Sequence, residues 1–407
     1  MRASLVRAVV VGVLLPTGVG AQTMTITESQ ALAQLGPESP RTQAARAGVE
    51  VGRADVLAAG RWPNPRVTYN REAVAGIAEH MVLVSQLLPV TGRRRLEVGA
   101  ATARVDASAR RADDHIRRLR ADLRLAFADL WAAQVREREL ERSRDRLREL
   151  ADLLARREAA GDAAGFDRLR AEREVMDVDA DRATAAAERA RAQAILVSYL
   201  AAPTDLSSVE ALQPDVAPQP LPTIEQLLAR AEDARGDLIA LARDLDATGL
   251  AERAAARRAI PEPEVMAGTK SSNAGDGDLG SAISVQVVVP LFDRARPERA
   301  ALQARASQLR AEADVFRRTL RAQVVAWRAA VVERRDIAER YRAAATAGAG
   351  QIERIAQVSY EAGERGLLEL LDAYRTASSA RVRQAALDAA VREAEVELEF
   401  VSGWEIP

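Results

Sequence analysis

A proline-framed pattern occurs twice in this chain and divides it into two similar parts. The segment Trp62-Pro63-Asn64-Pro65-Arg66-Val67 returns as Ile260-Pro261-Glu262-Pro263-Glu264-Val265. Each copy leads into strand-like segments, then into a further proline, Pro89 or Pro290, and then into a very long helical stretch. A repeat of this length is an architectural unit and not a solenoid module. The chain is therefore expected to fold as two copies of one unit.

Each copy contains a pair of strands. Residues 66–88 of the first copy and 264–289 of the second show the alternation and the flanking turns of a β-hairpin. Each strand reaches the roughly 9 to 11 residues with which a tilted strand crosses a bilayer. Four strands are too few to close a barrel, because bacterial barrels begin at about eight strands. We therefore predict that other copies of the chain complete the sheet; two copies would supply about eight strands and three about twelve.

Long helices account for most of the remaining sequence. No proline occurs between Pro89 and Pro203, and apolar residues recur with sevenfold spacing from Leu119 to Leu154. Sustained heptads are typical of coiled-coil packing. At a rise of about 1.5 Å per residue, such a helix is on the order of 100 Å long. Glycines end each long helix and a second helix returns, so we predict helical hairpins at 93–200 and 297–400.

The ends of the two units follow from other local signals. Arg2 and Arg7, an apolar stretch and small residues up to Ala21 have the pattern of a signal peptide at 1–21. A short buried N-terminal helix is the alternative. The first unit is predicted at 22–200 and the second at 223–407. The proline-rich residues 201–222 between them are interpreted as a semi-rigid linker. No other segment reaches the roughly 20 apolar residues of a membrane-spanning helix.

The composition excludes several classes of function. Basic and acidic residues nearly cancel, 58 against 59, and interleave along the helices, so no nucleic-acid surface is expected. The chain has no cysteine, so we expect no disulfide, thiolate metal site or lipidated cysteine. His80 and His115 belong to no metal-ligand cluster. Nucleotide-binding, metalloprotease and serine-hydrolase motifs are missing. We therefore predict no enzyme, no cofactor and no metal site.

Two further motifs carry a resemblance to a known family. The first long helix begins after Gln86-Leu87-Leu88-Pro89-Val90-Thr91-Gly92-Arg93-Arg94, and the second hairpin turns at Tyr360-Glu361-Ala362-Gly363-Glu364-Arg365-Gly366-Leu367-Leu368-Glu369-Leu370-Leu371-Asp372-Ala373. Together with the duplicated strand pattern, these motifs resemble the TolC-type outer-membrane efflux proteins over nearly the whole mature chain. The resemblance implies a mainly α chain with a small membrane β part. In a homotrimer, four strands per chain would contribute to a shared twelve-stranded β-barrel in the outer membrane, and antiparallel coiled-coil helices would form an α-barrel in the periplasm.

The resemblance also implies a function and partners. Members of this family are passive exit ducts of tripartite efflux pumps or of type I secretion. The implied partners are two further copies of the chain, outer-membrane lipid, a periplasmic adaptor (membrane fusion protein) and an inner-membrane transporter. The motif before the first long helix resembles the metal-efflux branch more than the drug branch, but that branch often carries a lipidated cysteine. Metal ions, drugs and other small molecules all stay open as cargo.

By the same resemblance, the helix–helix turns at 158–169 and 360–372 form a periplasmic tip that is both gate and adaptor contact. The four glycines of these turns are Gly161, Gly165, Gly363 and Gly366. A sharp helix reversal often needs a positive φ, which explains Gly161 and Gly363 by their backbone conformation.

Five side chains near these turns are the candidate gate residues. Glu369 and Asp372 lie three apart on one helical face, and the resemblance implies that threefold symmetry makes them rings of carboxylates at a constriction that favours cations. A solvated acidic face near a helix start is the alternative. Tyr360, Arg365 and Asp167 match family positions whose bonds hold the tip closed, and ordinary turn contacts are their alternative.

Two other classes of protein compete with the duct. A soluble periplasmic coiled-coil protein, such as a pump adaptor or spacer, would explain the long helices. An adaptor usually has one helical hairpin flanked by β-rich halves, whereas this sequence predicts two helical hairpins and two strand pairs. A periplasmic enzyme would require a catalytic constellation that the sequence lacks. The strand pairs therefore favour the duct.

Overall fold

The computed structural model describes residues 24–161, 164–200, 209–213, 220–274 and 277–404. The predicted signal peptide at 1–21 lies outside these residues. In chain order, the elements are β1 (Met24–Ile26), α1 (Glu28–Ala33), α2 (Pro40–Gly60), β2 (Arg66–Val74), β3 (Ile77–Leu87), α3 (Arg93–Ala159), α4 (Gly165–Val197), β4 (Val209–Ala211), α5 (Ile224–Ala234), α6 (Gly236–Arg257), β5 (Pro263–Ser272), β6 (Leu279–Val287), α7 (Arg296–Tyr341), α8 (Ala347–Glu361) and α9 (Leu367–Ser402).

The four long strands form one antiparallel sheet in the order β2, β3, β5, β6. β2 and β3 form one hairpin, and β5 and β6 form the other. The two units of the chain meet at the β3–β5 pair, in which Val84 lies opposite Ala267. β2 and β6 are the outer strands, and no other described segment pairs with their free edges.

The β3–β5 pair depends on a close approach of two backbones at Gly268. Gly268 lies opposite Leu83 in the register. A Cβ atom at Gly268 would collide with the carbonyl oxygen of Val82, and it would also come within 2.9 Å of the Leu83 Cα atom. These are backbone atoms, which cannot rotate away as a flexible side chain can. Glycine at this position therefore permits the join between the two units.

The helices form two long hairpins. α3 has 67 residues and is about 100 Å long, and α4 returns beside it. In the second hairpin, α7 and α8 are joined by a five-residue π-helical segment, Arg342–Thr346, which the sequence analysis did not predict. α9 then returns through 36 residues. The alanine-rich sequence around the π-helical segment carries no proline that would mark the irregularity.

The predicted linker at 201–222 contains an ordered strand. β4 pairs in parallel with β1 and forms a separate small sheet. The Gln193 side chain donates a hydrogen bond to the Val209 carbonyl oxygen at 2.8 Å, and the Ala211 amide donates to Gln134 Oε1 at 2.9 Å. Because Gln134 lies on α3 and Gln193 on α4, this part of the linker is tied to the first hairpin.

A buried ion pair also joins the two units. Asp114 on α3 accepts hydrogen bonds from Arg235 Nε at 3.0 Å and from the Gly236 amide at 3.3 Å, where α6 begins. The side chains of Asp114 and Arg235 are only 3% and 7% exposed. The Arg235 guanidinium lies 4.7 Å from the ring centre of Phe400 on α9. Since removing one partner leaves a buried charge uncompensated, this pair strongly favours one placement of α6 on α3.

We predict that Gly268→Ala weakens the β3–β5 pair. The added methyl group would force the two backbones apart, at a cost of about 1–3 kcal/mol for overpacking. Hydrogen-exchange mass spectrometry of the full chain should show lost protection in β3 and β5, with unchanged protection in α3. Gly280→Ala on β6 is the matched control, because the nearest atom to its Cβ would be 3.8 Å away. Equal protection in the two variants would contradict the prediction.

Candidate functional site

The two helical hairpins reverse direction at glycines. Gly161 follows α3 with φ +82°, and Gly363 follows α8 with φ +74°. The Gly363 amide donates to the Tyr360 carbonyl oxygen at 3.0 Å, and the Glu364 amide donates to the Ser359 carbonyl oxygen at 2.8 Å. This pair of bonds is the Schellman arrangement that closes a helix through a left-handed residue. The backbone conformation therefore explains these two glycines.

Gly165 and Gly366 have a different role, because neither has a positive φ. Gly165 is the first residue of α4, and a Cβ atom there would meet the Glu158 carboxylate. Gly366 precedes α9 in an extended conformation, with φ −86°. These glycines mark the start of the returning helices, and Gly165 leaves room for a side chain from the preceding turn. That side chain, Glu158, accepts a hydrogen bond from Arg168 Nε at 2.5 Å.

An apolar cluster packs the two hairpins together beside these turns. It joins residues of α3, α4, α8 and α9; its larger members are Leu147, Leu150, Leu154, Leu367, Leu370, Leu371 and Tyr374. Burial raises the pKa of the Tyr374 phenol above its ordinary value, which keeps the hydroxyl protonated. Tyr360 packs against the cluster and has the Arg157 guanidinium 6.0 Å from its ring centre.

The predicted closing residues form no hydrogen bond or ion pair with one another in the described part of the chain. Asp167 is half-buried in the first turn of α4, and Arg365 is exposed in the loop before α9. Among the described residues, no hydrogen bond or ion pair joins Asp167 to Tyr360 or Arg365. Their closing role therefore stays a prediction that needs a neighbouring chain.

Glu369 and Asp372 lie on the exposed face of α9, while Leu370 and Leu371 between them are buried. Neither carboxylate makes a hydrogen bond or ion pair with another described residue. The first turns of α9 therefore present two uncompensated negative charges to the outside of the single chain. This arrangement is compatible with both the constriction and the solvated acidic face.

A network of ion pairs, which the sequence analysis missed, connects the hairpins away from the turns. Arg381 on α9 donates to Glu139 on α3 at 2.6 Å and to Glu353 on α8 at 3.2 Å, and Arg146 on α3 also pairs with Glu353. Burial and the nearby Arg381 charge lower the pKa of the Arg146 guanidinium, although an arginine in a protein keeps its charge. Arg375 on α9 is paired with Glu174 on α4. These pairs span helices that are distant in sequence, so periodicity alone does not reveal them.

The four-stranded sheet has two faces of different chemistry. Residues that lie opposite each other in the register share a face. One face, here called the apolar face, includes Val67, Tyr69, Val82, Val84, Val265, Ala267, Ile283, Val285 and Val287. The opposite face, here called the polar face, carries every Asp, Glu, Lys and Arg residue of these four strands except Arg71; they are Arg66, Glu72, Glu79, Glu264 and Lys270.

The exposure of the central strand β3 follows the same alternation. Val82 and Val84 on the apolar face are 41% and 46% exposed, whereas Ser85 on the polar face is 5% exposed. On the polar face, Lys270 is paired with Glu79 at 2.6 Å. A sheet that curls toward its polar face would show this difference in exposure. In the single chain, these β3 side chains of the apolar face are therefore more exposed than Ser85 on the polar face.

Two features are absent from the described residues. None of the helices there combines the length and the apolar character needed to span a membrane. No group of His, Asp and Glu side chains in the same residues is arranged to hold a metal ion.

Comparisons with known proteins identify the fold. Neither a protein-family model nor a curated protein sequence matches the chain. Among solved structures, the CmeC outer membrane channel of Campylobacter jejuni matches with a TM-score of 0.78 at 12% identity, over 92% of this chain and 85% of that chain. The outer membrane protein VceC of Vibrio cholerae matches with a TM-score of 0.74 at 14% identity, over 93% of this chain and 97% of that chain. The open-state MtrE outer membrane channel of Neisseria gonorrhoeae matches with a TM-score of 0.73 at 19% identity, over 92% of this chain and 88% of that chain. The chain has the TolC-type fold.

Within this TolC-type fold, we predict that Arg381→Gln loosens the two hairpins. The substitution removes the side chain that bridges Glu139 and Glu353, and Glu139 is almost fully buried. The Glu139 carboxylate keeps Arg142 of its own helix as a second partner, but losing the partner from α9 should lower the free energy of unfolding by about 1–3 kcal/mol. Urea unfolding followed by circular dichroism measures this change.

Arg340→Gln is the control for this experiment. Arg340 forms an exposed pair with Asp336 at 2.7 Å, one turn away on the same helix. Its loss should change the unfolding free energy by less than about 0.5 kcal/mol. If both variants lose the same stability, the network at Arg381 does not hold the hairpins together.

Proposed function

We propose that three copies of this chain form a passive outer-membrane exit duct of a tripartite efflux system. The observation that carries the proposal is the four-stranded sheet, with its apolar face, its polar face and its two free edges. In lipid, every backbone group must be satisfied and the outer side chains must be apolar. A closed barrel with a polar interior meets both requirements.

Closure of the barrel requires other copies of the chain. Three antiparallel pairings separate β2 from β6, so β6 runs opposite to β2. β6 of one chain can therefore continue the antiparallel order with β2 of the next. Three copies of a four-stranded sheet give the twelve-stranded barrel that the TolC resemblance implies. Support for a membrane channel comes from the shared fold with the outer membrane channels CmeC and MtrE.

The long helical hairpins extend this barrel into the periplasm. Each chain contributes two hairpins, and three chains would arrange them as a ring around a common axis. The turns at Gly161 and Gly363 then form the end farthest from the membrane. Exposed apolar side chains at this end, including Phe166 and Leu169 on α4 and Leu368 on α9, offer a contact surface for a periplasmic adaptor and, through it, an inner-membrane transporter.

The same end of the helices is the proposed gate. Threefold symmetry would convert the exposed Glu369 and Asp372 into two rings of carboxylates around the mouth. Tyr360, Arg365 and Asp167, which are not joined to each other within one chain, would bond across neighbouring hairpins to hold the mouth closed. The tip glycines allow the sharp turns that bring these residues together.

The duct has no catalytic role in this proposal. A passive tube needs walls, a gate and a docking surface, and it needs no cofactor. The choice of cargo lies with the transporter, so metal ions, drugs and other small molecules are all compatible with the duct. Carboxylate rings at the mouth would favour cations over anions.

A cysteine cross-link tests the trimer, because the natural chain has no cysteine. The two units correspond, so the β3–β5 register is the template for β6 against the neighbouring β2. In that register, Val84 lies opposite Ala267. Val285 corresponds to Val84 and Tyr69 to Ala267, so Val285 is expected opposite Tyr69 of the neighbouring chain. We predict that the double variant Val285→Cys and Tyr69→Cys forms a covalent ladder that stops at three chains in the outer-membrane fraction.

The mismatched pair Val285→Cys with Ala73→Cys is the control. Ala73 lies four residues from Tyr69 on β2, which is about 13 Å along a strand, so it should give little cross-linking. Light scattering in mild detergent independently measures the mass of the uncross-linked assembly. A monomer in the soluble periplasmic fraction would exclude the duct and favour the periplasmic coiled-coil protein.

For the gate, we predict that Glu369→Gln together with Asp372→Asn removes cation preference. The substitutions keep the shape of both side chains and remove the charges, so the field at the mouth falls. Reversal potentials of the trimer in planar bilayers under a salt gradient measure the cation-to-anion permeability ratio, which should move toward no preference.

Glu364→Gln controls for a general change in tip charge. Glu364 is also exposed, but it lies in the turn before α9 and not on the helix face of the two acids. It should change the permeability ratio less than the double variant does. If both variants shift the ratio equally, Glu369 and Asp372 do not line the constriction.

A further inference from the structure

Arg71 is the exception on the apolar face of the sheet. It is the one Asp, Glu, Lys or Arg residue of the four described strands that lies on this face. Its side chain is exposed and makes no hydrogen bond or ion pair with another described residue. A guanidinium has five N–H donors and no acceptor. In contact with lipid, this charge would require a negatively charged partner from outside the chain.

The residues around Arg71 add further hydrogen-bond donors. His80 lies directly opposite Arg71 in the β2–β3 register, and Ser271 lies opposite His80 on β5. The Tyr69 hydroxyl lies 2.8 Å from His80 Nδ1, and the two rings are stacked with centres 6.1 Å apart. When Tyr69 donates this bond, His80 Nε2 carries the ring proton and is free to donate. Arg71, His80 and Ser271 therefore form one row of donors, here called the donor row.

The donor row lies in the half of the sheet that is far from the helices, with only Ala73 and Ala78 on the same face between it and the β2–β3 turn. On β2 it is close to the turn at Ala75 and Gly76, whereas α3 follows the opposite end of β3. Toward the helices, the same face continues with apolar side chains, among them Val67 and Val84. An arginine on a lipid-facing surface is poorly tolerated at the bilayer centre and well tolerated near the interface. The position of Arg71 at the edge of the apolar band fits the interface.

We propose that the donor row binds the phosphoryl headgroup of an anionic lipid. This inference rests on the proposed function, because it places lipid against the apolar face. Phosphoryl oxygens accept charge-assisted hydrogen bonds from a guanidinium, which binds them in a planar fork. The apolar side chains beside the donor row would contact the acyl chains of the same molecule. A free phosphate ion would use the donors alone, so the adjoining apolar surface favours the lipid.

Native mass spectrometry of the full chain, purified as its membrane assembly, tests this site. The assembly is titrated with phosphatidylglycerol and, separately, with phosphatidylcholine that has the same acyl chains. We expect the natural chain to retain more phosphatidylglycerol. Arg71→Gln should weaken that retention roughly fivefold, the effect of one basic side chain near a charged membrane surface, and Arg71→Gln with His80→Gln should weaken it further.

Arg66→Gln is the matched control, because Arg66 lies on the same strand but on the polar face. It should leave phosphatidylglycerol retention unchanged. An equal loss in this control, or equal retention of the two lipids by the natural chain, would overturn the site. Full displacement of phosphatidylglycerol by inorganic phosphate would assign the donor row to free phosphate and overturn the lipid.

The mass of each assembly separates this proposal from the duct itself. If the natural chain forms no membrane assembly, both the duct and the lipid site are wrong. If it forms a trimer without lipid preference, only the lipid site is wrong. Each variant is compared at the natural assembly mass, and Arg71→Gln alone serves as the milder variant if the double variant does not assemble.

Discussion

The free edges of β2 and β6 are the constraint on which the proposed assembly depends. An edge strand presents unpaired N–H and C=O groups, and in lipid these groups have no water to bond. The apolar face adds a second demand, because Val82, Val84 and Ile283 expose apolar surface on the same sheet. A single chain can satisfy neither demand. Pairing of β6 with β2 of another copy would satisfy both at once.

The helical part depends on charges that are paired across helices. Asp114 with Arg235 joins α3 to α6, and Arg381 joins α9 to α3 and α8. Buried ion pairs add little net stability over apolar packing, but a missing partner is costly. Alanine-rich and leucine-rich helices could otherwise pack against each other in several registers. The ion pairs disfavour the registers in which a buried charge would lose its partner. They connect the two units of the chain at positions where the duplicated sequence pattern predicts no contact.

Some elements were predictable because their signal is local. The strand pairs at 66–88 and 264–289 correspond to strands that begin at Arg66 and Pro263, since alternation and flanking turns specify a hairpin. The three-residue strand β4 was missed because it is too short for a pattern and lies among prolines. The π-helical segment Arg342–Thr346 was missed because alanines and a threonine fit any helical geometry. The contact of Arg381 with Glu139 joins residues that are far apart in the chain.

The sequence by itself determined the helical hairpins and the strand pairs, because periodicity, proline placement and glycine turns act over a few residues. It also indicated the positions of Glu369 and Asp372 on one helical face. Only the tertiary structure decided that β3 pairs with β5 around Gly268, which turns two hairpins into one sheet with distinct faces. That register isolates Arg71 on the apolar face. The physical reason is that register and side-chain pairing depend on which distant backbones approach each other. A local sequence pattern does not specify contacts between segments that are far apart in the chain.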